Sequence, residues 1–230
     1  MHTQQQTVEE MTPRALGYRM PAEWERHQGT WIAWPHNQDD WPGKFESIPW
    51  VYADIVRHLS RVEDVNIIVR NAAERDAVRS ILNRCHVSLK RVKFHLWPTD
   101  RGWTRDSGPI FVRRNSGNQK IAVTNWRFNG WAKYPNWKQD DQLPELIAEK
   151  LGFEKFTPTV QLHGNSHHVV LEGGSIDVNG AGLMLATEEC LLSKVQQRNP
   201  GLARKDLEQV FADYLGIEKV IWLARGIAGG

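Results

Sequence analysis

Short apolar runs alternate with amphipathic helical patterns along most of this chain, and this alternation restricts the fold class. The runs predict strands at 29–35, 64–70, 92–98 and 219–224, and the helical spacing predicts helices at 50–61, 72–85, 141–151 and 204–215. Two hairpins are predicted as well, one joined by NSGN at 115–118 and one turning at Asn179-Gly180, because Asn and Gly accept the positive φ of tight turns. The order predicts a mixed α/β chain with a loose internal repeat.

Length and composition favour one domain and exclude some partner classes. The chain has 230 residues, is 40% hydrophobic and has no Pro- or Ser-rich linker, so we expect a polar N-terminal tail at 1–19 at the periphery and one domain at 20–230. Its formal charge of +2 gives no electrostatic reason to expect nucleic acid or an anionic membrane as a partner. Without a signal-like or membrane-spanning run, and with two cysteines, the sequence predicts a cytoplasmic protein with reduced thiols.

Asp106 stands out in TDRGWTRDSGPIFV, because it lies just before a predicted strand, where loops commonly hold functional groups. Two interpretations stay open. The carboxylate caps the turn and pairs with Arg101 or Arg105, or it faces a cationic ligand beside Trp103. A planar cation suits the second interpretation, since carboxylates bind it through paired hydrogen bonds and aromatic faces stack on it.

Glu172 is the second unusual acid, because it lies in the apolar run VVLEGGSIDV, which predicts a strand. A buried carboxylate is costly unless it is paired, and the two glycines that follow allow close approach of a ligand or a neighbouring backbone. The alternative is a buried salt bridge to a nearby Arg.

Further aromatic and metal-ligating residues have weaker patterns. The loops PHNQDDWPG and NWRFNGWAKYPNW line a pocket or form ordinary surface loops. His163, His167 and His168 lack the spacing of a zinc site, so we expect no metal. Cys190, predicted at a strand end beside Glu188 and Glu189, is expected to be a poor nucleophile, because adjacent carboxylates raise the pKa of a thiol.

Several long motifs, taken together, resemble the agmatine deiminase family, which includes bacterial relatives of the peptidyl-arginine deiminases. The resemblance runs from about residue 20 to residue 228 and rests on MPAEWERHQGTWIAWPHN, WTRDSGPIFV, NWRFNGWAKYPNW, VLEGGSIDVNGAGLMLATEECLLS and YLGIEKVIWLARGIAG. It implies a pentein fold, which is a five-fold pseudosymmetric α/β propeller of ββαβ units. It also implies hydrolysis of agmatine to N-carbamoylputrescine and ammonia in putrescine biosynthesis, with no cofactor. A homodimer is plausible by the same resemblance.

The resemblance also implies roles for single residues. Asp106 matches the acid that holds the guanidinium nitrogens, and Glu172 matches the glutamate that lines the central channel. By position, the resemblance offers four channel-wall residues for substrate binding: Trp41, Trp103, Asn129 and Trp131.

One departure from the family pattern affects the expected activity. Family members continue after the G-I-x-G stretch with a G-H-x-D motif that carries the catalytic His, and much later with a loop that carries the nucleophilic Cys. The resemblance therefore implies about three of five propeller units and a truncated chain that is inactive alone, and unstable or associated with another chain. A peptidyl-arginine deiminase and a non-catalytic module that binds polyamines or guanidinium groups remain as alternatives.

Overall fold

The computed structural model describes residues 12–114 and 120–226 of the chain. Its first sheet is parallel and has the order β1 (Gly29–Ala33), β2 (Asp64–Val69) and β3 (Val92–Leu96). Helix α1 (Ile48–Leu59) connects β1 to β2, and α2 (Ala72–Arg84) connects β2 to β3. These five elements confirm the pattern prediction to within a few residues at each end.

Two further sheets share one connectivity, in which a hairpin is followed by a helix and a parallel strand. In one, β4 (Ile110–Arg114) and β5 (Lys120–Thr124) are antiparallel, and α4 (Leu143–Leu151) leads to β6 (Glu154–Phe156) beside β5. In the other, β9 (Ile176–Val178) and β10 (Leu183–Thr187) are antiparallel, and α6 (Arg204–Leu215) leads to β11 (Lys219–Leu223) beside β10.

These two sheets are ββαβ units, as expected. The predicted turn NSGN lies outside the described residues, whereas the turn at Asn179 and Gly180 is confirmed, with a φ of 70° at Gly180.

The structure also has two short helices and one further hairpin. Helix α3 (Thr104–Ser107) precedes β4, the hairpin β7 (Thr159–Leu162) and β8 (Asn165–His168) follows β6, and α5 (Glu188–Leu191) follows β10. Cys190 therefore lies in a short helix and not at the strand end where the sequence predicts it. No helix in the described segments is long and apolar enough to cross a membrane.

The segment expected at the periphery packs into the core where it is described. Tyr18 is 2% exposed, and the backbones of Arg19 and Arg113 exchange two hydrogen bonds of 2.8 and 2.9 Å. Glu25 accepts hydrogen bonds from both of these arginines, and the Arg19 hydrogen bond lowers the pKa of Glu25 to about 2. Residues 12–19 thus join the chain start to β4, while residues 1–11 lie outside the described part.

Glu172 does not lie in a strand. Val169, Val170 and Leu171 are buried, and Arg127 forms only an isolated bridge to Val170. Glu172 has an extended backbone and directly precedes a 3-10 turn at Gly173–Ser175. The apolar run reflects burial of a connecting segment against the core, which an extended strand pattern resembles.

Candidate functional site

A tight turn fixes the position of Asp106 at the start of β4. Helix α3 has a single turn and ends where the Gly108 N–H donates to the Thr104 carbonyl at 2.9 Å. A Cβ at Gly108 would lie 2.4 Å from that carbonyl oxygen, so the turn needs glycine there. The turn therefore fixes the backbone that carries Asp106, two residues before Gly108.

The Asp106 carboxylate is held by two uncharged donors. Its Oδ2 accepts a hydrogen bond from Trp131 Nε1 at 3.2 Å, and its Oδ1 accepts one from the backbone N–H of Gly174 at 3.1 Å. Helix α3, the turn at Gly130–Ala132 and the turn at Gly173–Ser175 therefore meet at this carboxylate.

The two arginines expected to pair with Asp106 have other partners. Arg101 binds Asp40, with Nη1 2.5 Å from Oδ1, and Arg105 binds Glu23. The turn-capping interpretation with an Arg101 or Arg105 salt bridge is therefore not the arrangement in the structure.

Burial raises the pKa of Asp106 above its usual range. The hydrogen bonds from Trp131 and Gly174 oppose this shift, as do the charges of Arg105 and Arg198. Because burial is the largest effect, the protein environment compensates the ionised carboxylate only partly.

The two glycines after Glu172 allow the loops to touch. A Cβ on Gly173 would lie 2.4 Å from the Arg105 carbonyl oxygen, and a Cβ on Gly174 would lie 2.2 Å from Asp106 Oδ1. Arg105 Nε also donates to the Gly173 carbonyl at 3.1 Å. The expectation of a close backbone approach at these glycines is confirmed.

Glu172 forms the buried salt bridge that the sequence left open as an alternative. Arg198 Nε donates to Glu172 Oε1 at 3.0 Å, and the two side chains are 8% and 2% exposed. Arg198 Nη1 donates to the Gln196 carbonyl at 2.7 Å, which fixes the arginine. The second oxygen, Oε2, is buried and has no hydrogen-bond partner among the described residues.

The two acids are electrostatically linked. Burial raises the pKa of Glu172, Arg198 opposes this, and the charge of Asp106 raises the pKa further. Arg198 also lowers the pKa of Asp106, so one cation partly compensates both carboxylates. Arg198 and the two carboxylates together therefore carry a net negative charge when both acids are ionised.

Trp131 is the predicted wall residue that donates a hydrogen bond directly to Asp106. Its ring meets Phe128 edge-on with centroids 5.0 Å apart, and its carbonyl accepts from Gln196 Nε2 at 3.5 Å. The backbone of Trp131 has a φ of 60°, which is unusual for a residue with a Cβ.

Trp41 and Trp103 form a separate aromatic pair beside the site. Their ring centroids lie 5.1 Å apart, and Trp41 also contacts Phe45 and Tyr52. Trp103 is the residue that immediately precedes α3, so the pair lies next to the turn that carries Asp106.

Asn129 has a capping role in the structure. Its Oδ1 accepts from the Ala132 N–H at 2.9 Å at the start of the turn that contains Trp131. Asn129 and Arg198 also line a neighbouring cavity of about 300 Å³.

The thiols and most of the histidines lie in the described segments. Among residues 12–114 and 120–226, no three His, Cys, Asp or Glu side chains are grouped as metal ligands. His168 Nε2 lies 2.6 Å from the Asn125 carbonyl oxygen. Burial raises the pKa of Cys190, and the charges of Glu172 and Asp106 raise it further.

Three functional contacts were missed by the sequence interpretation. Arg198 and Gln196 lie in an irregular loop, and Asp40, which pairs with Arg101, ends a single 3-10 turn, so no periodicity indicates which side chains meet. A buried Glu172 did require a cation, but nothing in the sequence distinguished Arg198 from the other arginines.

This arrangement suits a planar cation. A buried carboxylate, Glu172, and a partly buried one, Asp106, interact electrostatically, and Asp106 accepts hydrogen bonds from a backbone N–H and an indole N–H, which are both neutral. Carboxylate oxygens bind guanidinium groups through paired hydrogen bonds, and aromatic rings attract them through cation–π contacts.

Known proteins are similar to this chain in sequence and in fold. The chain is 34% identical over 221 residues to agmatine deiminase from Ectopseudomonas mendocina, and the match covers 94% of this chain and 55% of the relative. It is 35% identical to agmatine deiminase from Medicago truncatula, with 96% of this chain and 57% of the relative covered. A solved structure of agmatine deiminase from Enterococcus faecalis superposes with a TM-score of 0.81 at 31% identity, covering 95% of this chain and 56% of that one.

The resemblance to agmatine deiminases is thereby confirmed, and the α/β fold matches their solved structures. The chain spans about 55–57% of the length of these relatives. It also matches the family described as Porphyromonas-type peptidyl-arginine deiminase over residues 19–230. Because that match includes nearly the whole chain, the protein belongs to the Porphyromonas-type peptidyl-arginine deiminase family.

Proposed function

We propose that this chain contributes the guanidinium-binding acids of an agmatine deiminase, a hydrolase that converts agmatine and water to N-carbamoylputrescine and ammonia. The observation that supports this most is the state of Asp106. Its carboxylate is partly buried, this burial raises its pKa, and its two hydrogen-bond donors are neutral. A ligand cation would supply the missing charge.

Glu172 has a complementary role in this proposal. Arg198 occupies Oε1, and the buried Oε2 is the acceptor that remains for a ligand N–H. An unpaired buried acceptor is costly, so a ligand donor at that oxygen would be favourable. Two carboxylates that hold the nitrogens would orient the guanidinium carbon for attack by a nucleophile.

We further infer that the 230-residue chain binds agmatine without turnover. Hydrolysis through a covalent intermediate needs a thiolate, and the chain has only Cys85 and Cys190. Burial and two nearby carboxylates raise the pKa of Cys190, while Cys85 packs against a hydrophobic core. The environment of Cys190 therefore disfavours the ionised form.

Calorimetric titration with agmatine tests the binding step. Wild-type protein should bind, and Asp106→Asn should weaken affinity about 10- to 100-fold, because a charge-assisted hydrogen bond is lost. Asp76→Asn is the matched control, since Asp76 is an exposed acid on α2 that pairs with Arg75. Equal affinity of wild type and Asp106→Asn would contradict the proposal.

An ammonia-release assay on the same samples separates binding from chemistry. Binding without ammonia release supports a binding role for this chain, and release from wild-type protein would overturn the inference about turnover.

A second candidate substrate is peptidyl-arginine, which the description of the matching family favours. Titration with a short peptide that contains arginine distinguishes the two. Tighter binding of the peptide than of agmatine would favour the second candidate. The homodimer, the cytoplasmic location, the role in putrescine biosynthesis and the count of three propeller units stay predictions.

A further inference from the structure

We propose that Arg101 is a positioning residue, whose guanidinium group holds the loop that carries Trp131 so that its indole N–H reaches Asp106. The binding readout for this inference rests on the proposed function above, whereas the structural readout does not.

Arg101 is fixed at one end by a buried ion pair. Its Nη1 lies 2.5 Å from Asp40 Oδ1, and the two side chains are 7% and 1% exposed. Such a pair is strongly held, because separating it would leave an uncompensated charge in the interior.

The backbone of Arg101 is anchored as well. Its N–H donates to Asp140 Oδ2 at 3.1 Å, and the Asp100 N–H donates to Asp140 Oδ1 at 2.8 Å. Asp140 itself is 1% exposed. The guanidinium group therefore projects from a rigid base.

The Arg101 guanidinium group also contacts the loop at residues 131–136. Nη2 donates to Asn136 Oδ1 at 3.1 Å, and the guanidinium carbon lies 4.1 Å from the ring centroid of Tyr134 and 6.0 Å from that of Trp131. Arginine suits this role, since its planar group can accept stacking and donate in-plane hydrogen bonds together. Lysine provides only one of these at a time.

The loop needs such a clamp because its backbone is strained. Gly130, Trp131 and Ala132 have φ values of 65°, 60° and 54°, and the last two carry a Cβ. Residues in this region persist when surrounding contacts determine their conformation. Asn129 caps one end of the turn, and Arg101 supplies contacts to its far side.

One hydrogen bond connects this loop to Asp106. Trp131 Nε1 donates to Asp106 Oδ2 at 3.2 Å only while the loop keeps this conformation. Removing the Arg101 clamp should let the turn relax, which would leave Asp106 with the Gly174 donor alone. Ligand affinity should then fall even though Arg101 itself touches neither acid.

The test uses ¹⁵N-indole labelled protein, in which the loss of one signal in Trp131→Phe assigns the Trp131 N–H. In Arg101→Met, hydrogen exchange at that N–H should accelerate about tenfold or more, and the dissociation constant for agmatine should rise about tenfold. Arg101→Lys keeps the charge and should recover part of both effects. Arg57→Met is the matched control, because Arg57 forms an exposed ion pair with Asp54 on α1.

The outcomes separate the two proposals. If wild-type protein does not bind agmatine but Trp131 exchange responds to Arg101→Met, the proposed function fails and this inference stands. If agmatine binds and Asp106→Asn weakens it, but Arg101→Met leaves both readouts at the wild-type value, this inference is overturned.

A milder variant covers the case in which Arg101→Met does not fold. Asn136→Ala removes the acceptor of the Arg101 Nη2 hydrogen bond and leaves the Asp40 ion pair intact. Several-fold faster exchange at Trp131 supports the clamp, and unchanged exchange contradicts it.

Discussion

The two acids of the site differ in burial and in how the protein compensates their charges, because Glu172 is fully buried and Asp106 is only partly buried. Glu172 forms an ion pair with Arg198, and both side chains are nearly inaccessible. Asp106 accepts hydrogen bonds from an indole and a backbone N–H, which are neutral donors. Burial raises the pKa of both carboxyl groups, yet among residues 12–114 and 120–226 a hydrogen-bonded cation is present at Glu172 and not at Asp106.

This difference indicates a division of roles. The Glu172–Arg198 pair connects the glycine turn at 173–175 to the loop at 196–199, so it contributes to the architecture as well as to the site. Asp106 is compensated less by the protein, so a cationic ligand gains more there. We therefore expect substitutions at Glu172 to affect stability first and substitutions at Asp106 to affect binding first.

The largest expected effect is the loss of stability in Glu172→Gln. Removing one partner of a buried ion pair leaves the Arg198 charge uncompensated, which typically costs about 3–5 kcal/mol. Asp106→Asn removes a carboxylate that lacks such a partner, so its free energy of unfolding should stay within about 1 kcal/mol of wild type. Chemical denaturation of both variants measures the difference.

Glu188→Gln provides the control for this comparison. Glu188 pairs with Arg204, and the two side chains are 39% and 47% exposed, so the loss should be about 0–1 kcal/mol. An equal loss in Glu172→Gln and Glu188→Gln would show that the buried pair contributes no more than a surface pair.

Periodicity explains which parts of the fold were predictable. The helix predicted at 204–215 has those bounds in the structure, and the hairpin at Asn179-Gly180 is present. The predicted strand at Glu172 was wrong, because a buried connecting segment and a strand have the same apolar composition. The tail at 12–19 packs in the core through Tyr18, a single aromatic residue that no repeat pattern indicates.

The site was predictable only where a residue has a motif of its own. Asp106 and Glu172 were selected because acids beside glycines in apolar surroundings are unusual. Their partners were not, since the Asp106–Trp131 contact depends on a left-handed backbone and the Glu172–Arg198 contact spans 26 positions through a loop. Sequence spacing in irregular loops does not determine which side chains meet.

Substitutions of the two glycines after Glu172 separate an effect on stability from an effect on agmatine binding. Gly173→Ala places a methyl group 2.4 Å from the Arg105 backbone oxygen, so we expect about 1–3 kcal/mol of destabilisation. Gly174→Ala places one 2.2 Å from Asp106 Oδ1, so the carboxylate must move. We expect agmatine affinity to fall about tenfold in Gly174→Ala, with a smaller effect on unfolding than in Gly173→Ala.

Gly102→Ala is the control for adding a methyl group near the site. Its Cβ would meet neighbours no closer than 3.6 Å, which is ordinary van der Waals contact. If Gly174→Ala binds agmatine as well as Gly102→Ala does, the position of the Asp106 carboxylate does not limit affinity.

The smallest expected effect is the pH dependence of binding. A cation binds the ionised form of Asp106, and burial raises the pKa of this carboxyl group. Agmatine affinity should therefore rise about 3- to 10-fold between pH 4 and pH 6, and the rise should be smaller in Asp106→Asn, where Glu172 is the one site acid that still titrates. Calorimetry across this range measures both slopes.

Two other groups set how folding stability changes over the same range, and their contributions oppose each other. Burial raises the pKa of Asp140 to about 7 despite the backbone hydrogen bonds from Asp100 and Arg101, so Asp140 alone makes stability fall as pH rises from about 4 to 7. Burial lowers the pKa of His95 from 6.5 to about 4, so the unfolded state binds the His95 proton over that interval and His95 alone makes stability rise with pH. Because these two contributions largely offset each other, an increase in agmatine affinity must arise at the site, and a decrease would contradict the role of Asp106 as the ionised ligand-binding acid.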